Sequence, residues 1–242
     1  MRVVCWNIHG CVGTDRRFDP LRTARTLARL APDVALLQEV GDHRGIHPPI
    51  DQAAALADAL GMTCTLGITL PRHPYGYGNI TLTRGAALEA GAWDLSVRGR
   101  EPRVCLCVTV EVDRQRIVTA NVHLGLGRRE RRAQLEILLD EIGPFGGVPS
   151  SPTVVGGDFN DWPPGPVTRV LERTLRDAAR ASAAPGSPGK TFPSARPLLR
   201  LDRLYVGGGV EISACSVEDS RAAREASDHL PVVADLCLPD LP

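Results

Sequence analysis

Short apolar runs that end in a carboxylate, an amide or a histidine recur from one end of this sequence to the other. Asn7 follows the run 3–6, and Glu39 follows the run 35–37. Such runs are typical of buried β-strands. The pattern therefore predicts a sheet-based protein whose polar side chains gather near strand ends. Later in the chain the same pattern includes Asn121, His123, Asp158, Asn160, Asp202, Asp228 and His229.

Amphipathic segments lie between these runs, which indicates an α/β protein. Asp19 has the form of a helix N-cap, and Pro20 stands at the first helical position. Apolar residues then repeat at helical spacing over 21–31, so we expect this face to meet the core. Residues 104–112 alternate strictly between apolar and other side chains, as a strand with one apolar face does. The other predicted elements are helices at 51–60, ended by Gly61, and at 129–142, strands at 117–122, 153–155, 201–206, 210–217 and 231–236, and a loop at 181–199.

The size and composition of the chain are those of one globular domain. It has 242 residues, of which 43% are hydrophobic and 23% charged. These values exclude a disordered, collagen-like or coiled-coil protein. Because no repeat or long polar linker divides the chain, we expect a single domain over residues 1–242.

The charge and cysteine content limit the partners and the compartment. The 28 basic side chains balance the 28 acidic ones, which argues against a high-affinity nucleic-acid partner. The seven cysteines form no C-x-x-C pair, so we expect reduced thiols. The first residues read as a strand rather than a signal peptide, and no apolar run has the ~18 residues of a membrane span. We expect a cytoplasmic protein with no integral membrane association, and no obligate protein partner is evident.

The polar residues at the strand ends are of the types that bind a hard divalent cation. Mg²⁺ prefers oxygen ligands and is usually held by one or two carboxylates. Each residue taken alone also has a simpler reading, since an Asp or Asn beside Gly is most often a turn residue. Cys5 is the one candidate for a nucleophile of another class, but a strand cysteine among apolar neighbours is usually an inert core thiol.

Four motifs in one order make the functional reading the stronger one. They are Trp6-Asn-Ile-His, Leu37-Gln-Glu-Val, Gly156-Gly-Asp-Phe-Asn-Asp and Ser227-Asp-His-Leu-Pro-Val. Together with Gly78-Asn-Ile-Thr-Leu-Thr-Arg, Arg100-Glu-Pro-Arg, Asn121-Val-His-Leu and Leu201-Asp-Arg-Leu, the chain resembles the endonuclease/exonuclease/phosphatase (DNase I-like) superfamily over residues 1 to about 236. The resemblance implies an α/β, four-layer sandwich in which two mostly antiparallel β-sheets pack face to face, with helices outside.

The resemblance also implies a metal site and a base for attack by water. Glu39 would be the principal ligand of Mg²⁺ or Mn²⁺, with Asn7 beside it and Asp228 either as a further ligand or as a carboxylate just behind the ligands. Asp158 would take the proton from the attacking water, and Asn160 would hold a phosphate oxygen or orient that water.

Two histidines complete the set of catalytic residues that the resemblance implies. Asp202 would fix and charge His229, which would then donate to a phosphate oxygen. His123 would be paired with Glu101 and would assist the leaving oxygen. Three further residues are assigned to substrate binding: Asn79, Asn121 and Arg100.

The expected activity is metal-dependent hydrolysis of a phosphodiester or phosphomonoester, on a small-molecule or lipid-derived phosphate. A nuclease that acts on DNA or RNA is the alternative within the family. An inactive binding module with the same fold is the alternative of another class. The arginine-rich segment 128–132 is either a solvated helix face or a patch that recruits phosphate groups at the rim of the site.

Overall fold

A computed structural model describes residues 1–41, 50–70, 75–141, 151–182 and 189–239 of the chain. In this part the helices are α1 (Pro20–Leu30), α2 (Gln52–Leu60), α3 (Arg128–Glu141), α4 (Pro166–Leu171), α5 (Ala178–Ala181) and α6 (Arg221–Ala226), with one 3₁₀ turn at His9–Cys11. The strands are β1 (Arg2–Asn7), β2 (Val34–Gly41), β3 (Thr63–Ile68), β4 (Tyr77–Thr83), β5 (Ala86–Asp94), β6 (Val104–Val112), β7 (Gln115–His123), β8 (Thr153–Asp158), β9 (Arg176–Asp177), β10 (Asp202–Gly207), β11 (Glu211–Val217) and β12 (Val232–Cys237).

The described strands form two six-stranded sheets. The first has the order β11-β12-β1-β2-β4-β3, and the second has the order β5-β6-β7-β8-β10-β9. Each sheet contains one parallel pair, β1 with β2 and β7 with β8, and its other pairs are antiparallel. This confirms the predicted sandwich of two mostly antiparallel sheets.

Alternation of side chains along the central strands makes three apolar layers. Val3 and Cys5 on β1 point between the sheets, where they meet Leu106 and other residues of the second sheet. Val4 and Trp6 point the other way, into a cluster that includes residues of α1 and α2. A third cluster joins the outer face of the second sheet to α3 and α4. The order of layers is therefore helix, sheet, sheet, helix.

The predicted elements agree with these bounds to within a few residues, with one error of orientation. Asp19 caps α1 by accepting from the backbone N–H of Arg22, and Gly61 ends α2 with φ of 62°. On α1, however, Leu21 is 56% exposed, and the buried face is formed by Thr23, Ala24, Thr26 and Leu27. The end of the predicted helix at Ile142 and most of the first half of the predicted loop 181–199 lie outside the described residues.

The register of the second sheet brings three of the predicted site residues side by side. His123 at the end of β7 pairs with Asp158 at the end of β8, and Asp158 pairs with Asp202 at the start of β10. In the first sheet, Asn7 pairs with Gln38, one residue before Glu39. Both sets lie at the same end of the sandwich, where they meet one cavity.

No helix among the described residues is long and apolar enough to cross a membrane.

Candidate active site

A cavity of about 500 Å³ lies at this end of the two sheets. Seven of the predicted site residues line it, namely Glu39, Glu101, His123, Asp158, Asn160, Asp228 and His229. Asn7 and Asp202 are buried directly behind the wall and touch residues that line it.

Asp158 is the centre of the polar cluster. Its Oδ2 lies 3.5 Å from Nε2 of His123 and 3.7 Å from Nε2 of His229, and it accepts from the side-chain amide of Asn7 at 3.2 Å. The two glycines before Asp158 let β8 lie close to β7, because a Cβ at Gly157 would lie only 1.9 Å from a carbonyl oxygen of β7. Burial raises the pKa of Asp158 to about 6, although His229 opposes the rise. A carboxylate with such a pKa can accept a proton near neutral pH.

The two histidines differ in protonation because their partners differ. Nδ1 of His229 lies 2.8 Å from Oδ2 of the fully buried Asp202. Burial by itself lowers the pKa of His229, but Asp202 and Asp158 outweigh it and raise the pKa to about 10. His229 is therefore a cationic donor at neutral pH.

The predicted direct pair of His123 with Glu101 is wrong, because Arg103 stands between them. Arg103 donates to both oxygens of Glu101 and contacts Nδ1 of His123 at 3.2 Å. Burial, and next the charge of Arg103, lower the pKa of His123 to about 3. His123 is thus a neutral imidazole. Nδ1 then accepts from Arg103, so the ring hydrogen is on Nε2, which faces Asp158.

Glu39 is aimed into the cavity by an irregularity of β2. The register between β2 and β4 shifts between Leu37 and Val40, and Glu39 there has φ of 54°. A β-bulge of this kind redirects one side chain out of the alternation of the strand. Asn7 donates to Oε1 of Glu39 at 3.0 Å, which fixes the carboxylate.

The donor set fits a hard divalent cation. Glu39 and Asp228 offer carboxylate oxygens to one cavity, as Mg²⁺ and Mn²⁺ require. The predicted role of Asn7 as a metal ligand stays a prediction. In this structure Asn7 accepts from the backbone N–H of His9 through its amide oxygen and donates to Glu39 and Asp158 through its nitrogen. It therefore positions Glu39.

A second group of acidic and histidine side chains has the spacing of a metal site. Ligand atoms of Asp158, Asp202 and His229 lie within 4.8 Å of one another. Since Asp202 and His229 already form a close pair at 2.8 Å, the arrangement is that of a carboxylate-held imidazole.

The structure does not support the three predicted substrate-binding residues. Asn79 and Asn121 are buried between the sheets and donate to main-chain carbonyls, Asn79 to Val104 and Asn121 to Leu37 and Ile80. None of the three lines the cavity, and Arg100 lies in the turn before β6. Among the arginines of the Arg-Glu-Pro-Arg motif, Arg103 is the one that reaches the site.

Other residues of the cavity were not singled out from the sequence. His9 lies in the first motif, and its Nε2 is 3.7 Å from Oδ2 of Asp228. The apolar lining was not predicted from the sequence, because its members come from separate parts of the chain; it consists of Tyr77, Leu126, Trp162, Phe192, Leu199 and Leu201. Cys5 is fully buried, and burial raises the pKa of its thiol well above the usual value, which agrees with a core residue.

Comparison with known proteins identifies relatives that match nearly the whole chain. The family model described as Endonuclease/Exonuclease/phosphatase family matches residues 4–229. An uncharacterised protein of Escherichia coli strain K12, YbhP, is 31% identical over 98% of this chain and 96% of its own length.

Solved structures show the same fold. An endonuclease/exonuclease/phosphatase from Beutenbergia cavernae is 27% identical, with a TM-score of 0.75 over 98% of this chain and 71% of that one. A mannosyl-6-phosphatase from Bacteroides thetaiotaomicron is 19% identical, with a TM-score of 0.81 over 98% of this chain and all of that one.

Proposed function

Because the chain belongs to the endonuclease/exonuclease/phosphatase family, whose members generally hydrolyse phosphate esters, we propose that it is a metal-dependent phosphoesterase that acts by direct attack of water. One observation supports this most: a neutral and a cationic histidine both face Asp158, beside the carboxylates of Glu39 and Asp228, in one cavity. Such a cluster contains a base, a charged donor and oxygen ligands for a cation.

The proposed roles follow from the protonation of each group. Asp158 accepts the proton of the attacking water. His229, charged and held by Asp202, donates to a phosphate oxygen on which negative charge increases in the transition state. His123, neutral and held by Arg103, donates from Nε2 toward the leaving oxygen. Asn160, whose amide nitrogen donates to the carbonyl of Leu124, turns its oxygen to the water or the phosphate group.

Glu39 and Asp228 would hold Mg²⁺ or Mn²⁺. When bound, the cation neutralises the negative charge of the phosphoryl oxygens.

The single domain over residues 1–242 and the cytoplasmic location stay predictions.

The substrate class we favour is a small-molecule or lipid-derived phosphate. The alternatives are a nuclease and an inactive binding module with this fold. The balanced charge of the chain speaks against tight binding of nucleic acid. The cluster at Asp158 speaks against the inactive module, because each proposed catalytic position is filled by a competent side chain.

The substitution Asp158→Asn tests the proposal. We expect hydrolysis of a generic aryl phosphodiester or phosphomonoester by the wild type with Mg²⁺ or Mn²⁺, loss of that activity in EDTA, and a loss on the order of 10²-fold or more in the variant. Asp177→Asn is the matched control, since Asp177 is also buried but pairs with Arg200 away from the cavity. Activity that resists EDTA, or that Asp158→Asn leaves intact, would contradict the mechanism.

A further inference from the structure

One side of the cavity is apolar and open to solvent. Leu126 is 77% exposed and Trp162 is 43% exposed, and both line the cavity that contains Asp158. Phe192 and Leu199 extend this wall, and the ring of Phe192 lies 4.8 Å from that of His229. Exposed side chains of this size are costly to leave in water, so their placement at the site indicates contact with an apolar ligand group.

Buried polar contacts fix the two loop segments that carry these exposed side chains. The buried Arg131 donates to the carbonyl of Leu126 at 2.6 Å, and its Nε lies 3.6 Å from Oδ1 of Asp161, the residue before Trp162. Asp161 also accepts from the backbone N–H of Gly165 and Thr168. An ion pair with both side chains buried costs desolvation of two charges. Here it joins the two loops that present Leu126 and Trp162, so the apolar wall is preorganised.

The described part of the cavity wall carries few cationic side chains. Among the described residues that line it, Arg103 is the single arginine or lysine, and it is already bonded to Glu101 and His123. Within the arginine-rich segment, Arg131 is buried and structural, while the exposed Arg128, Arg129 and Arg132 are absent from the lining. A second phosphate would therefore meet no free arginine or lysine among the described wall residues.

We propose that the substrate is an ester with one phosphate group and an uncharged, apolar organic group, which packs against Trp162 and Leu126. This inference rests on the proposed function and names its substrate class. It separates this chain from enzymes for polyphosphorylated or strand-like substrates, whose added charges need added cations. Trp162 and Leu126 are then specificity-determining residues.

The test compares two alkyl esters of similar intrinsic reactivity, n-hexyl phosphate and glycerol 3-phosphate, each as the monoester and as the methyl diester. We expect the wild type to have a kcat/KM about 10-fold higher for the hexyl esters. Trp162→Ala and Leu126→Ala should each remove most of this preference, because each lowers kcat/KM for the hexyl esters more than for the glycerol esters. Leu88→Ala is the control, since Leu88 is 43% exposed on β5 and lies outside the cavity lining. This substitution should leave kcat/KM unchanged for both the hexyl and the glycerol esters.

A binding measurement separates this inference from the proposed function. Calorimetry with hexylphosphonate and dihydroxypropylphosphonate, which are not hydrolysed, should show tighter binding of the hexyl compound by the wild type and not by Trp162→Ala. This result without hydrolysis of any ester would overturn the proposed function, and with it the substrate, but would leave the apolar wall as the surface that selects the bound ligand. Equal kcat/KM for the hexyl and the glycerol esters, or equal affinity for the two phosphonates, would overturn the inference.

Discussion

Asp202 determines what His229 can do in this site. The carboxylate is fully buried, and its Oδ2 lies 2.8 Å from Nδ1 of His229. The contact fixes the orientation of the ring and keeps Nε2 as a donor toward the cavity. The family resemblance implied this pair through the Leu201-Asp-Arg-Leu and Ser227-Asp-His motifs.

The substitution Asp202→Asn should therefore lower kcat/KM by on the order of 10²-fold, since His229 loses the carboxylate that keeps its ring charged and oriented. Steady-state kinetics with the favoured phosphate ester measure the effect. Asp177→Asn again serves as the matched control, because it breaks a buried pair with Arg200 that does not touch the cavity. A similar loss of kcat/KM in both variants would mean that general destabilisation, and not the state of His229, is responsible.

His123 shows where motif reasoning failed at this scale. Glu101 and His123 were expected to pair directly, but Arg103, two residues further along the chain, reaches both of them. Which member of Arg100-Glu-Pro-Arg faces His123 depends on where β6 begins to pair with β7. That register is a tertiary property, and spacing along the chain does not reveal it.

At the scale of elements, loops and bulges place the site as much as regular strands do. Glu39 has φ of 54° at the bulge of β2, a conformation that costs a non-glycine residue about 1–3 kcal/mol. Asn160 has φ of 48° just after β8. Both residues line the cavity. Residue type and order predicted that they belong to the site, whereas the positive φ values could not be read from the sequence.

Elements without a clear pattern were also missed. β5 is an edge strand rich in Ala and Gly with most of its residues exposed, so it has neither alternation nor strong β propensity. β3 is the edge strand of the other sheet and is mostly half-buried or exposed. By contrast, β6 is central enough to bury one full face, and its strict alternation predicted it correctly.

The loops that present Leu126 and Trp162 depend on Arg131 of α3. Replacing it by Met removes the contact with Asp161 and two donors to loop carbonyls, so Arg131→Met should lower the free energy of unfolding by about 3 kcal/mol. Urea denaturation measures this. Arg132→Met is the control on the next residue, because Arg132 is exposed and pairs only with Glu136 in the next turn; it should cost less than about 0.5 kcal/mol. Equal effects of the two substitutions would contradict the structural role of Arg131.

At the scale of the whole molecule, a row of buried amides joins the two sheets beneath the site. Asn121 on β7 donates to the carbonyls of Leu37 and Ile80 in the opposite sheet, and it accepts from Gln38 at 2.7 Å. Asn79 on β4 crosses in the other direction to the carbonyl of Val104. These contacts fix one sheet relative to the other, and so fix Glu39 relative to Asp158.

The buried side-chain amides of Asn79 and Asn121 show why only part of the site could be predicted from the sequence. An Asn in a family motif looks the same in the sequence whether it lines a cavity or lies behind one. Asp158, His229 and Glu39 line the cavity, as the family resemblance implied for these motif positions. Asn79 and Asn121 were placed wrongly, because their partners are main-chain carbonyls of distant strands that no local pattern shows.

The substitution Asn121→Ala distinguishes a joint between the sheets from a substrate-binding residue. It removes two hydrogen bonds to carbonyls of the other sheet and the one accepted from Gln38, which keeps its bond to the carbonyl of Leu36, so the free energy of unfolding should fall by about 3 kcal/mol. Below the unfolding transition, KM for the favoured ester should stay within about 2-fold of the wild-type value, because the side chain is buried and does not line the cavity. Trp162→Ala should show the reverse pattern, a raised KM with little change in stability. A large rise in KM with unchanged stability for Asn121→Ala would return Asn121 to the substrate-binding role that the motif first suggested.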